Sequence, residues 1–79
     1  MVWTMSTKHE SNRLRVFRAE QRMTQFALSR KSRINPTRIS FIENGHVEPT
    51  LDEQERIARA LKAPVGDVFP AYAPAEAVR

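Results

Sequence analysis

Three helix-start signals in close succession constrain this chain more than any other feature. Thr24 can N-cap one segment, Asn35 stands before Pro36, and Thr50-Leu51-Asp52-Glu53 has the form of a capping box. Asn is among the best N-caps, and proline suits the first helical position because its missing N–H would be unpaired there anyway. In the capping box, the Thr50 hydroxyl and the Glu53 carboxylate each satisfy an orphan backbone donor. Asn44-Gly45 and Pro70 then act as stops. Punctuation this dense leaves room only for short helices. No sustained period-two alternation occurs, so strands are not expected.

Apolar spacing fills in the segments. Leu14 and Phe17, after a Ser11-Asn12 start, predict a helix over about 11–21. Ala27 and Leu28 support a second over about 24–31. A third runs from 35 or 36 to 44 with Ile39 and Ile42 inward, and a fourth over about 50–61 with Leu51, Ile57, Ala58 and Leu61 inward. Pro64 opens a short fifth helix carrying Val65, Val68 and Phe69. The reading is an all-α, compact five-helix bundle, with helices 2 and 3 joined by the three-residue link Ser32-Arg33-Ile34 as in a helix-turn-helix. Residues 1–10 and 71–79 are expected to be weakly ordered ends around a domain over 11–70.

Seventy-nine residues bury one small core and leave little room for a deep substrate cleft. No nucleophile–base pair, Walker loop or metal-ligand spacing occurs, which argues against an enzyme and against any cofactor, metal or small-molecule ligand. The two histidines, His9 and His46, are far apart, and cysteine is absent. Apolar runs are too short for a membrane span, so a cytoplasmic protein is expected. The net charge of +4 is unevenly placed: between residues 11 and 41, eight Lys and Arg face Glu20 alone, whereas the remainder is mildly acidic. That asymmetry suits one face for a polyanion.

Met23-Thr24-Gln25, Leu28, Ile34, Ile39-Ser40, Ile42-Glu43-Asn44-Gly45, Pro49-Thr50-Leu51 and Ile57-Ala58-Arg59-Ala60-Leu61 together resemble the phage-repressor and Cro-like (XRE) helix-turn-helix family. The likeness covers roughly residues 12–70. It implies a lambda-repressor-like fold and a sequence-specific transcriptional regulator, a repressor or restriction–modification controller, that binds a palindromic double-stranded DNA operator as a homodimer. It also implies a partly buried structural pair between Arg18 and Glu43, and a phosphate contact for Gln25. Arg22, Arg33 and Lys62 stand where such domains often have glycine. Either these turns need φ > 0, at about 1 kcal/mol for a non-glycine residue, or they use another geometry. In Arg22 and Arg33 a phosphate contact would compensate. Ser29 and Ser32 replace the usual Ala and apolar residue and are expected to weaken the packing of helix 2. Phe26, often charged in the family, could pack, mediate a dimer or lie exposed.

With Ile39 and Ile42 inward, the helical period turns Pro36, Thr37, Arg38 and Phe41 outward beside the cap Asn35. These five are the candidate base readers. Arg38 can reach guanine in bidentate fashion or only phosphate. Phe41 can meet a thymine methyl or pack within its own subunit. Gln25, Arg22, Arg33, Asn44 and His46 are candidate backbone contacts. Late apolar residues, Val65, Val68, Phe69 and Tyr72, form the expected dimer surface. The competing class is an antitoxin-like protein-interaction module with secondary DNA binding. The segment 71–79 looks too short and too poor in large apolar residues to wrap a toxin.

Overall fold

The computed structural model describes residues 12–70. The ends expected to be weakly ordered, 1–10 and 71–79, lie outside these residues, and Tyr72 with them. Five helices follow in order: α1 Leu14–Glu20, α2 Gln25–Ser32, α3 Pro36–Glu43, α4 Leu51–Leu61 and α5 Val65–Val68. Among the described residues there is no strand.

The starts of α2, α3 and α4 lie where side-chain caps place them. Thr24 Oγ1 accepts from Ala27 N at 2.9 Å, and Asn35 Oδ1 accepts from Thr37 N at 2.7 Å. The capping box is complete: Glu53 N donates to Thr50 Oγ1 at 3.1 Å, and Thr50 N donates to Glu53 Oε1 at 2.9 Å. Only α1 starts later than the spacing suggests. Asn12 is buried, accepts from Leu14 N at 3.1 Å, and donates through Nδ2 to the Ile42 carbonyl at 2.9 Å. The residue expected inside the helix instead ties its start to the end of α3.

The helix ends also have a physical account. Arg22, Arg33 and Lys62 adopt φ of 54°, 61° and 57°. The turns therefore keep the left-handed geometry that glycine would enter without strain, and these cations bear the cost. At the end of α2, Arg56 Nη1 donates to the Ser32 and Arg33 carbonyls at 3.3 and 3.0 Å, capping acceptors that the helix cannot satisfy itself.

One core joins all five helices: Leu14, Leu28, Ile34, Ile39, Ile42, Ile57, Ala58, Leu61, Val68 and Phe69. Three expectations are corrected here. Leu51 is 67% exposed, because the inward stripe of α4 begins one turn later at Gln54 and continues through Ile57, Ala58 and Leu61. Ser29 and Ser32 are buried yet satisfied, Ser29 Oγ on the Ile34 carbonyl and Ser32 Oγ on the Leu28 carbonyl at 2.7 Å. They replace lost apolar area with local hydrogen bonds, that of Ser32 within α2 and that of Ser29 into the α2–α3 turn. Val68 and Phe69, expected on a dimer surface, are fully buried in this chain's own core. The four-residue α5 folds back so that the Val68 carbonyl accepts from Arg13 N at 2.7 Å. Val65 is half-buried against the same core.

Candidate nucleic-acid interface

The α2–turn–α3 unit presents the outer face of α3 to solvent. Asn35, Pro36, Thr37 and Phe41 are all exposed. Asn35 Oδ1 is engaged by the helix cap, so its orientation is fixed at the start of α3. Phe41 retains 46% of its surface and meets His46 edge to face, with ring centroids 5.9 Å apart and planes at 73°. Phe41 thus has a partner in its own chain and keeps part of its ring exposed. His46, itself exposed, forms with Phe41 a small platform at the C-terminal end of α3.

Beneath this face lies Glu43, 5% exposed and surrounded by donors. Arg18 reaches it twice, through Nε at 3.0 Å and Nη2 at 2.8 Å, and Arg18 Nη1 also donates to the Met23 carbonyl at 2.8 Å. The implied Arg18–Glu43 pair is therefore present. Two further donors join it that the family resemblance does not imply. Arg15 Nε donates to Glu43 Oε2 at 2.8 Å, and Gln25 Nε2 donates to Glu43 Oε1 at 3.2 Å. Arg15 also donates to Asn44 Oδ1 at 2.8 Å, while Asn44 Nδ2 returns to the Ser40 carbonyl at 3.0 Å. The signal for Arg15 was in the sequence, since it lies three residues before Arg18 and shares a face of α1 with it. Gln25 and Asn44, expected against phosphate, thus have side chains oriented from within, and one amide hydrogen of Gln25 still points elsewhere.

Arg38 is placed differently from expectation. Its Nε donates to Glu53 Oε2 and its Nη2 to Glu53 Oε1, both at 2.9 Å, with a longer 3.4 Å contact from Nη2 to the Glu48 carbonyl. It is half-buried against α4 rather than projecting outward with Thr37. Among the remaining cations, Arg22 is exposed at the α1–α2 turn. Arg33 lines a groove of about 510 Å³ with Lys31, Arg56, Arg59 and Lys62, at the C-terminal ends of α2 and α4. That groove lies at the opposite end of α2 from Gln25. Phe26 is 59% exposed beneath the Arg30 guanidinium, 5.8 Å from the ring centre.

The two engaged carboxylates shift in the same direction. Burial pushes the Glu43 carboxyl up, but hydrogen bonds from Arg18, Arg15 and Gln25 together outweigh it and hold it below its ordinary value. The hydrogen bonds from Arg38 hold Glu53 below its ordinary value despite partial burial. A carboxyl lowered on folding contributes stability that is complete above the ordinary value of about 4.5 and is lost as pH falls through the lowered one. The melting temperature is therefore expected to hold level from neutral pH to about 5 and to fall in acid. Glu43→Gln should reduce that acid dependence, and a melting temperature insensitive to acid would contradict the network.

Among the described residues no group of three His, Cys, Asp or Glu side chains is placed to hold a metal ion, and no helix is long and apolar enough to cross a membrane. A profile for helix-turn-helix domains matches residues 14–68. An uncharacterized HTH-type transcriptional regulator from Archaeoglobus fulgidus is 39% identical over 57 residues, covering 72% of this chain and 81% of that protein. Another from Sinorhizobium fredii is 42% identical over 55 residues, 70% of this chain but only 28% of that longer protein. Among solved structures, the clp gene regulator ClgR from C. glutamicum superposes with a TM-score of 0.67 at 34% identity, covering 73% of this chain and 75% of that one. The chain belongs to the phage-repressor and Cro-like (XRE) helix-turn-helix family.

Proposed function

We propose that this chain is a sequence-specific DNA-binding transcriptional regulator of the cytoplasm that lays α3 in the major groove of a palindromic operator as a homodimer. The observation that carries the reading is the exposed outer face of α3, where Thr37 and Phe41 stand on a helix fixed at one end by Asn35 and at the other by Glu43. Thr37 offers a donor, an acceptor and a methyl group to base edges, and Phe41 with His46 offers an apolar edge suited to a thymine methyl. Asn35 and Pro36 flank them at the N-terminal end, the part of a recognition helix that enters most deeply. Gln25, in the first turn of α2, meets a phosphate through its remaining amide hydrogen and the unpaired backbone donors beside it. Arg22, with the exposed Arg13 and Arg15 at the start of α1, supplies further phosphate contacts. The dimer surface is drawn from side chains that remain accessible, Val65 among them, and not from Val68 or Phe69.

Selection of bound duplexes from a random pool, followed by a salt titration on the selected site, tests this reading. The expected result is a two-fold repeated half-site, centres about 34 Å apart, whose affinity falls by about 0.9 log units per log unit of salt for each phosphate neutralised. A slope near zero, or a pool without an enriched sequence, would contradict it.

A further inference from the structure

The Arg38–Glu53 pair joins the recognition helix to the start of α4 in a way that bears on what α3 can read. Three of the five guanidinium hydrogens are committed: one on Nε to Glu53 Oε2, and both on Nη2, to Glu53 Oε1 and the Glu48 carbonyl. Bidentate recognition of guanine needs two adjacent donors, one from each of two nitrogens. Only Nη1 keeps its hydrogens, so the paired side chain has no such fork to offer. Glu53 is equally committed. Its Oε1 accepts from Arg38 Nη2 and also from Thr50 N, the reciprocal half of the capping box. Turning Glu53 away would unmake the start of α4 together with the pair. The carboxylate is mostly buried, at 16% side-chain exposure, so bulk water competes poorly for it. The same contacts close the loop 44–50, which carries His46 back against Phe41.

We infer that Glu53 is a positioning residue for DNA recognition: it latches Arg38 against α4, withholding the two-nitrogen fork of this guanidinium from bases and phosphates and leaving base preference to Thr37 and Phe41. The inference rests on the DNA-binding reading and goes beyond it, since the position of Arg38 on α3 would otherwise make it the obvious guanine reader. It identifies a site where one substitution changes what the domain recognises without changing its fold.

Glu53→Gln is the direct test, because glutamine serves a capping box as glutamate does but cannot hold a guanidinium by charge. Glu55→Gln removes the same charge from an exposed position on the same helix and controls for net charge. Four chains would be compared with wild type on the selected duplex and on unrelated duplex: Glu53→Gln, Glu55→Gln, Arg38→Ala and Arg38→Ala/Glu53→Gln. Glu53→Gln is expected to bind unrelated duplex more tightly and to steepen the salt slope by about 0.9 beyond the Glu55→Gln control, one additional phosphate contact. That gain should vanish in the double variant. Arg38→Ala alone, which leaves the capping box intact, should keep the wild-type slope and the wild-type half-site in a repeated selection. The latch is overturned if Arg38→Ala by itself relaxes one position of the half-site, or if Glu53→Gln moves the slope no further than Glu55→Gln. A wild type that fails to bind duplex at all would overturn the DNA-binding reading and the latch together, whereas the preceding two results overturn the latch alone.

Discussion

Phe69→Ala should destabilise the domain by about 3–5 kcal/mol, the range for removing a buried aromatic from a well-packed core. Phe69 is fully buried and sits just beyond α5, against side chains that all five helices contribute. At roughly 0.05–0.15 kcal/mol per residue, a domain of this size has total stability of only several kcal/mol. One substitution therefore removes most of it, and the variant should be largely unfolded near ambient temperature. Urea or thermal unfolding followed by circular dichroism measures the effect. A dimer contact would behave otherwise: the variant would retain the wild-type melting temperature at low protein concentration and lose only its concentration dependence. That second outcome would return Phe69 to the interface where its apolar character first suggested it.

Glu43→Ala should have an effect of similar size by a different route. The substitution leaves Arg18, whose side chain is only 17% exposed, without its counter-charge, and releases Arg15 and Gln25 as well. Breaking a buried pair by removing one partner costs about 3–5 kcal/mol, mainly because the surviving charge stays desolvated. The pair itself contributes far less, so Arg18→Met/Glu43→Leu should recover much of the loss. A double-mutant cycle on unfolding free energies separates the two statements. If Glu43→Ala melts as wild type does, the carboxylate is not the fixed point of α1, α2 and α3 that the four hydrogen bonds it accepts indicate.

Much of this architecture is legible locally, because caps are contacts between a side chain and backbone two or three residues away. Thr24, Asn35 and the Thr50–Glu53 box each act where the sequence places them. The left-handed turns at Arg22, Arg33 and Lys62 were visible only as departures from glycine, since residue identity alone does not decide between strain and another geometry. Contacts between helices were harder. Arg38 looks outward by helical period, and only the fold brings Glu53, fifteen residues on, within its reach. Leu51 fits the apolar stripe of α4 by spacing, yet as the first helical residue it projects past the core. In α5, one turn is too short for periodicity to tell a core face from an interface, and burial assigns Val68 and Phe69 to the core.

The central claim, that DNA docks on the outer face of α3, is tested most directly by titrating the labelled protein with its selected duplex and following backbone amide shifts by NMR. The largest changes are expected at Thr37, Phe41, His46 and the first turn of α2 around Gln25. Small changes are expected at the basic groove of Lys31, Arg33, Arg59 and Lys62. Shifts concentrated in that groove, with residues 35–41 unmoved, would contradict that claim.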